Sequence, residues 1–188
     1  MSDHQKTIIG SSVVPFRLLF LMWLAFTVEH LYGFNIGVFG IHPLQPIGLL
    51  GILMAPLLHV NLTHLLSNTF TFLFLGVVLF YFYNPIARKV FFRCYVLTGA
   101  LVWLFGRPMN HVGASGLIYA LAFFLIFFGV FRRDRTSMLI SIVIILIYGG
   151  LFNGLFPDQP NISWESHLCG ALVGVFHAVA FSRQKLVY

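Results

Sequence analysis

Residues 115–131 read SGLIYALAFFLIFFGVF, an apolar run that separates a glycine-containing loop from the basic stretch beginning at Arg132. Its length approaches the roughly 20 residues that an α-helix needs to cross the hydrocarbon core of a bilayer. The sequence therefore predicts an all-α integral membrane protein, a six-transmembrane-helix bundle that occupies residues 1–188 as a single domain. The five other apolar runs lie at about 14–33, 62–83, 90–106, 137–156 and 166–182.

The composition indicates a protein surrounded by lipid. Of the 188 residues, 59% are hydrophobic and only 9% are charged, whereas soluble domains carry about 25% charged residues. The net charge of +6 raises the question of nucleic-acid binding. However, the basic residues lie in small groups between the apolar runs and not along one face. We therefore exclude a nucleic-acid partner and expect the lipid bilayer to cover the apolar surface.

The basic residues also predict the orientation in the membrane. Of the eleven Lys and Arg residues, only Arg107 falls on the opposite side from the rest. The positive-inside rule assigns the basic side to the cytoplasm. Both termini are then cytoplasmic, 34–61 is an external loop lying partly in the interface, and a bacterial plasma membrane is the expected location. The basic residues on the cytoplasmic side are Lys6, Arg17, Arg88, Lys89, Arg93, Arg132, Arg133, Arg135, Arg183 and Lys185.

Polar side chains inside membrane spans are candidates for function, and four of them fall at one depth. At 1.5 Å per residue, Ser115 lies about 25 Å, His167 about 24 Å and Asn68 about 22 Å above the cytoplasmic interface. His64 lies one helical turn from Asn68 on the same face. Three helices thus present a serine, a histidine and a His/Asn pair at one level below the outer surface.

These side chains match what acyl transfer requires. A serine hydroxyl becomes a good nucleophile when a base removes its proton, and a neutral histidine is the usual base near pH 7. The tetrahedral oxyanion needs preorganised donors, which His64, Asn68 and the backbone N–H of Ser115 at a helix N-terminus can supply. Gly113 and Gly116 flank the serine and allow close approach of another helix or of a substrate.

The last span carries small residues on the face of its histidine. Gly170 and Gly174 share a face with His167, and small residues permit the close helix approach that a Ser–His contact of about 3 Å requires. Tyr119, one turn below the serine, can pack against the imidazole. Each residue also has a structural interpretation as helix packing, and we interpret His59 as a loop-anchoring residue. The catalytic interpretation therefore depends on the combination at one depth.

The sequence contains three motifs that resemble those of the rhomboid family of intramembrane serine proteases and that occur in the same order along the chain. HVNLTHLLSN at 59–68 is similar to the family's pattern of two histidines followed by an asparagine. GASG at 113–116, with Tyr119 after it, resembles the nucleophile motif. HLCG at 167–170, followed by Gly174, resembles the general-base motif.

The resemblance covers about residues 56–182 and implies a rhomboid-like bundle around a cavity open to the outer side. It implies a dyad without a carboxylate, in which Ser115 is the nucleophile and His167 the general base. The substrate would be a transmembrane segment of another protein, cut near the outer membrane face. Span five and the loop 153–163 would form the gate and cap. The resemblance assigns oxyanion or supporting roles to His64, Asn68, Gly113 and Tyr119, and structural roles to His59, Gly116, Gly170 and Gly174.

Besides Ser166, a small residue that stands where many relatives carry alanine before the histidine, the sequence departs from the family pattern at two places. Residues 34–61 lack the Trp-Arg pair that many relatives carry in the first outer loop. Residues 77–89, VVLFYFYNPIARK, lack the acidic residue that many relatives carry toward the cytoplasmic end of span two. Neither departure touches the Ser-His pair. No cofactor is expected, and no metal is expected because neither spaced histidine pair forms an H-E-x-x-H motif.

Two other functions compete with the protease hypothesis. The first is a non-catalytic rhomboid-like protein that binds transmembrane segments. Inactive relatives typically lose the serine or the histidine, and this sequence keeps both. The second is a small transporter or channel, which requires a polar path across the membrane. The inner halves of the spans, such as LAFFLIFFGV at 121–130, are nearly all apolar and favour a cavity open on one side.

Overall fold

Seven α-helices and three short 3-10 segments make up the regular structure of the described residues. The structure is a computed structural model that describes residues 7–157 and 162–184. The predicted charges Lys6 and Lys185, and residues 158–161 of the predicted cap, lie outside the described residues. The helices are α1 (Ile8–Tyr32), α2 (Pro46–Met54), α3 (Leu62–Phe82), α4 (Asn84–Phe105), α5 (Ser115–Arg132), α6 (Arg135–Tyr148) and α7 (Trp164–Ser182). The 3-10 segments are Ile36–Phe39, Ala55–Leu57 and Gly149–Leu155.

Helix α5 forms the centre of the fold. Every residue from Gly116 to Ile126 is buried, because α3, α4, α6 and α7 all pack around this helix. Helices α1 and α6 lie at the periphery and expose large apolar side chains such as Phe20 and Leu146. A helix that is apolar all round must lie in a protein core or in lipid. The sequence run that predicts the fold is therefore also its core.

All six predicted spans are helical in the structure. Four helices are long and apolar enough to cross a membrane by length and composition, namely α1, α3, α5 and the continuous stretch Arg135–Leu155. Helices α4 and α7 have 22 and 19 residues, which corresponds to about 33 and 28 Å. They are more polar than the other four, because α4 carries three basic residues and α7 carries Glu165 and two histidines.

The turn between α3 and α4 is shorter than the sequence predicts. We expected residues 84–89 to connect two spans, but α4 already begins at Asn84, two residues after Phe82. Pro85 prevents α3 from continuing, because proline cannot continue the hydrogen-bond ladder. The first turn of a helix tolerates proline, since the missing N–H would have no intrahelical partner there. The same residue therefore ends one helix and starts the next.

The connection 34–61, which the sequence predicts as an external loop lying partly in the interface, contains one helix, α2, and two 3-10 turns that the sequence analysis does not predict. Its glycines allow the chain to fold back on itself. A Cβ added to Gly48 would lie 2.0 Å from the carbonyl oxygen of His42, and one added to Gly51 would lie 2.2 Å from that of Gly40. A nine-residue helix in which glycines form the buried face gives little helical signal in the sequence.

The folded outer segment 34–61 is anchored by side chains of α4. The indole Nε1 of Trp103 donates to the carbonyl of Gln45 at 2.8 Å, and the Tyr95 hydroxyl donates to the carbonyl of Leu53 at 2.5 Å. Backbone bonds of 2.9 Å in both directions pair Ile41 with His111. The segment is thus fixed without the Trp-Arg pair of many relatives, and it holds the loop that leads to Ser115.

Candidate active site

Ser115 and His167 meet at the N-terminal ends of α5 and α7. Ser115 is the first residue of α5, and His167 lies in the first turn of α7. The Oγ atom of Ser115 lies 3.0 Å from Nε2 of His167, which is hydrogen-bond distance. The sequence placed both residues at one depth on different helices, and the structure brings their side chains into contact.

Glycines bring α5 and α7 close enough for this contact. A Cβ added to Gly170 would lie 2.1 Å from the carbonyl oxygen of Gly116, and one added to Gly174 would lie 2.3 Å from that of Ala120. Neither neighbour can move away, because both are backbone atoms of the central helix. Small residues of this kind let helix backbones approach closely in membranes. Gly116 itself faces α4 and α7, with Thr98 and Ser166 nearest to the position of an added Cβ.

Two contacts fix the orientation of the His167 imidazole. Its Nδ1 atom lies 2.9 Å from the carbonyl oxygen of Gly154. Its ring stacks on Tyr119, with centroids 4.1 Å apart and planes within 4°. A carbonyl oxygen only accepts, so Nδ1 carries the proton and Nε2 is left with a lone pair that faces the hydroxyl of Ser115. This tautomer is the one that a general base requires.

Sequence analysis missed Gly154. Its contribution is a backbone carbonyl, which any residue type can provide, so no side-chain motif marks it. The one available signal is its lack of a side chain. A Cβ at this position would lie 2.0 Å from the Tyr119 hydroxyl oxygen. The 3-10 segment Gly149–Leu155 thus reaches the imidazole at a point where only glycine fits against the tyrosine.

His64 and Asn68 border the loop that precedes the serine. Gly113 has a φ of +111°, a backbone conformation that favours glycine. A Cβ added there would lie 2.5 Å from Cε1 of His64 and 3.6 Å from Nδ2 of Asn68. The loop therefore lies directly against both candidate oxyanion donors, and Gly113 is required by backbone conformation and by space.

His59 is paired with Asn68 and does more than anchor a loop. Its Nε2 atom lies 2.9 Å from Nδ2 of Asn68, and its Nδ1 atom lies 3.3 Å from the carbonyl oxygen of Leu57. With Nδ1 donating to the carbonyl, Nε2 accepts one of the two amide hydrogens of Asn68. The other amide hydrogen remains for the cavity. His59 also packs edge-on against His64, with ring centroids 5.0 Å apart.

One cavity of about 730 Å³ lies beside Ser115, His167, His64 and Asn68. Leu151 and Ile162 also line it. Within the described part of the chain, no group of three or more His, Cys, Asp and Glu side chains could hold a metal ion. The cavity is lined by all of the predicted catalytic and oxyanion side chains, namely Ser115, His167, His64, Asn68 and Tyr119.

An ion pair ties the loop before Ser115 to the start of α7. The guanidinium of Arg107 contacts the carboxylate of Glu165, and its Nη2 atom also donates to the carbonyl of Ile162 at 3.1 Å. Arg107 is the one basic residue predicted on the outer side. The pair was not predicted, because its members are 58 positions apart in the chain and no sequence pattern links them.

A chain of hydrogen bonds runs beside this ion pair. The Oγ of Ser163 lies 2.5 Å from Nδ1 of His111 and 2.5 Å from Oγ of Ser166, and Nε2 of His111 lies 3.0 Å from the carbonyl of Arg107. Ser163 is also the N-cap of α7. Burial lowers the pKa of His111. In the neutral ring, Nε2–H donates to the carbonyl of Arg107 and Nδ1 accepts from the Ser163 hydroxyl.

Acidification is expected to destabilise the protein through His59. Burial, reinforced by the neighbouring His64 ring, lowers the pKa of His59 to about 4. The folded-state pKa of His59 therefore lies below the value of about 6.5 in the unfolded chain. This difference stabilises the folded protein fully above pH 6.5, and the stabilisation is lost as the pH falls toward 4. We expect the unfolding temperature in detergent to be lower at pH 4.5 than at pH 7.5, by an amount corresponding to about 1–3 kcal/mol.

The matched variant for this prediction is His59→Gln. Glutamine does not titrate, and its side-chain oxygen can still accept from Asn68. The variant is expected to lose less stability than the wild type between pH 7.5 and pH 4.5. An unchanged pH dependence in His59→Gln would assign the effect to another group.

Comparison with known proteins identifies the family. The rhomboid domain profile matches residues 46–184. An uncharacterized protein of Mycobacterium tuberculosis is 35% identical over 184 residues, which cover 92% of this chain and 75% of the relative. An uncharacterized protein of Mycobacterium leprae is 32% identical over 184 residues, which cover 92% of this chain and 71% of the relative.

The chain therefore belongs to the rhomboid family, whose members are intramembrane serine proteases and their inactive relatives. The resemblance inferred from three short motifs is confirmed. Family membership and the apolar helices together identify an integral membrane protein. The relatives are themselves uncharacterized, so the function of this chain must be argued from its own side chains.

Proposed function

We propose that this protein is an intramembrane serine endopeptidase that uses a Ser115–His167 dyad. The observation that carries the proposal is the 3.0 Å contact between Ser115 Oγ and His167 Nε2. The opposite ring nitrogen contacts the Gly154 carbonyl, so that Nε2 is the free base. A nucleophile bonded to a base that a third group orients is the usual arrangement of covalent acyl-transfer catalysts.

The proposed reaction proceeds in two halves. Nε2 of His167 takes the proton of Ser115 while Oγ attacks the carbonyl carbon of the scissile peptide, and the new C–O bond forms. The imidazolium then gives this proton to the leaving amine as the C–N bond breaks. In the second half, a water loses a proton to the same nitrogen and attacks the acyl-enzyme, and the proton returns to Oγ as the ester bond breaks.

The groups near Ser115 suit the oxyanion that forms in both halves. The N–H of Ser115 is at the N-terminus of α5, where backbone donors lack intrahelical acceptors and the helix dipole favours negative charge. Asn68 contributes the amide hydrogen that His59 does not use, and His64 lies against Gly113 at the same cavity wall. The Gly154 carbonyl and the Tyr119 ring hold the imidazole in place of the carboxylate found in catalytic triads.

The fold suits a substrate that is itself a transmembrane segment. The active-site cavity lies at the outer ends of helices whose outward surfaces are apolar, so a substrate helix can approach through lipid. Helix α6 packs mainly on α5 and on its own 3-10 extension, which makes it and the loop 153–163 the proposed gate and cap. Cleavage then takes place near the outer membrane face, where water can enter the cavity.

The proposed topology has six crossing helices. The charged residues of α4 lie near its start, and Glu165 lies in the first turn of α7, so both helices keep a long apolar stretch between polar ends. With cytoplasmic termini, the basic residues after α5 and α7 face the cytoplasm. A bacterial plasma membrane is the proposed location.

The test of the proposed function is labelling of the purified protein by a fluorophosphonate probe in detergent. The probe reacts with an activated serine, so the wild type is expected to be labelled at Ser115. Ser115→Ala and His167→Ala are expected to remain unlabelled while they keep the wild-type elution profile and unfolding temperature. Absence of labelling in a folded wild type, repeated with an isocoumarin and a reporter transmembrane substrate, would instead indicate a protein that binds transmembrane segments without cutting them.

A further inference from the structure

A second cavity of about 790 Å³ lies beside the active site. It is enclosed by the outer end of α1, the segment 33–38 and the chain that leads into α3. This cavity and the active-site cavity share part of their lining. The second cavity is therefore adjacent to the cavity that contains Ser115. The shared lining residues are Val60, Asn61, Asn110 and Val112.

The second cavity contains a carboxylate without a cationic partner. Three acidic residues fall within residues 7–157 and 162–184, and two of them are in ion pairs, Asp134 with Arg132 and Glu165 with Arg107. Glu29 is the third, and no Lys or Arg of the described residues pairs with it. Its Oε1 atom accepts a hydrogen bond from the backbone N–H of Gly37 at 3.3 Å.

No Lys or Arg is among the described residues that line this cavity. The other titratable groups that line the cavity are two histidines, His30 and His59. His30 is stacked on Phe26, with ring planes within 4°, and His59 is engaged with Asn68 and Leu57. The remaining polar lining consists of uncharged asparagines. The cavity thus places the half-buried Glu29 carboxylate beside histidines and asparagines, with no Lys or Arg among the described lining residues.

We propose that this cavity is a substrate subsite in which Glu29 binds a lysine or arginine on the outer side of the scissile bond. The inference rests on the proposed function and specifies its substrate class, namely transmembrane segments with a basic residue just outside the cut. A carboxylate in a partly desolvated site gains from a cationic partner, because an ion pair there is screened less than at an open surface. The same site disfavours an acidic residue by like-charge repulsion.

The competing interpretation is that Glu29 only anchors the segment 33–38 through Gly37. Glu29→Gln separates the two interpretations, because the glutamine oxygen can keep the bond from Gly37 while the charge is removed. Asp134→Asn is the matched control, since it makes the same charge change at the other end of the bundle, between α5 and α6.

The experiment uses reporter transmembrane segments in proteoliposomes, with Lys, Gln or Glu placed in turn at each of several positions outside the cut. Two reporters compete in one tube, so the ratio of their cleavage rates does not depend on the fraction of active enzyme. For the wild type we expect Lys to be preferred over Gln about tenfold at one or two adjacent positions, and Glu to be cut most slowly. The preference is expected to fall to about twofold or less in Glu29→Gln, to invert in Glu29→Lys, and to persist in Asp134→Asn.

The outcomes separate failure of this inference from failure of the proposed function. Equal rates for Lys, Gln and Glu reporters at every position would overturn the inference while leaving an active protease. A Lys preference that survives Glu29→Gln would assign recognition to another group and would also overturn it. If the wild type cut none of the reporters and showed no probe labelling, the proposed function would fail, and the inference would fail with it.

Discussion

Ser115→Ala is expected to reduce cleavage of a reporter transmembrane segment to background, a loss of about 10⁴-fold or more in kcat. The reason is that the other two serines that line the cavity are engaged elsewhere. The Ser67 hydroxyl donates to the carbonyl of His64, and the Ser163 hydroxyl is hydrogen-bonded to His111. His167→Ala is expected to cause a loss of similar order, because the serine then has no base within hydrogen-bond distance. Cleavage is measured in proteoliposomes with purified enzyme and reporter.

Ser67→Ala is the matched control for this prediction. It makes the same chemical change in the same cavity, but the Ser67 hydroxyl bonds to the backbone of its own helix, so activity is expected to stay within about threefold of the wild type. Full cleavage by Ser115→Ala would refute the proposed dyad. Ser115→Ala is not expected to unfold the protein, because alanine is smaller than serine and the position lies at a cavity wall.

The sequence predicts the helices that form the bundle, because a long apolar run in lipid can form only one kind of secondary structure. A backbone in lipid must satisfy its own hydrogen bonds, and a single segment does this only as a helix. The same constraint makes depth predictable. Ser115 and His167 lie 52 positions apart in the chain, yet counting residues from the cytoplasmic charges places them at one level, and the structure brings them to 3.0 Å.

The outer parts of the molecule are less predictable, because there the chain is not limited to membrane-crossing helices. Helix α2 depends on glycines that face other parts of the same segment, and this is a tertiary contact with no periodic signature. The ion pair of Arg107 with Glu165 and the bond of Ser163 to His111 join the loop before α5 to the start of α7. Such pairs depend on which loops meet in space, and one sequence does not contain that information.

Gly154 is the most informative of the residues that sequence analysis missed, and its replacement tests how the base is held. In Gly154→Ala the added methyl group would lie 2.0 Å from the Tyr119 hydroxyl oxygen and 3.3 Å from Nδ1 of His167. Tyr119 must move, and because its ring is stacked on the imidazole at 4.1 Å, His167 moves with it. A displacement of about 1 Å in a catalytic group costs on the order of 100-fold in rate. We expect that loss in kcat, with a smaller change in KM.

Two further variants decide whether the steric contact is the cause. Gly150→Ala makes the same change in the same 3-10 segment, but its methyl group meets no atom within 4 Å, so activity is expected to stay within about threefold of the wild type. The double variant Gly154→Ala/Tyr119→Phe removes the hydroxyl that collides with the methyl group. It should be more active than Gly154→Ala alone, a non-additive effect that only residues in contact produce. If the double variant were as inactive as the single one, the carbonyl of residue 154 rather than the tyrosine contact would be the part that positions the base.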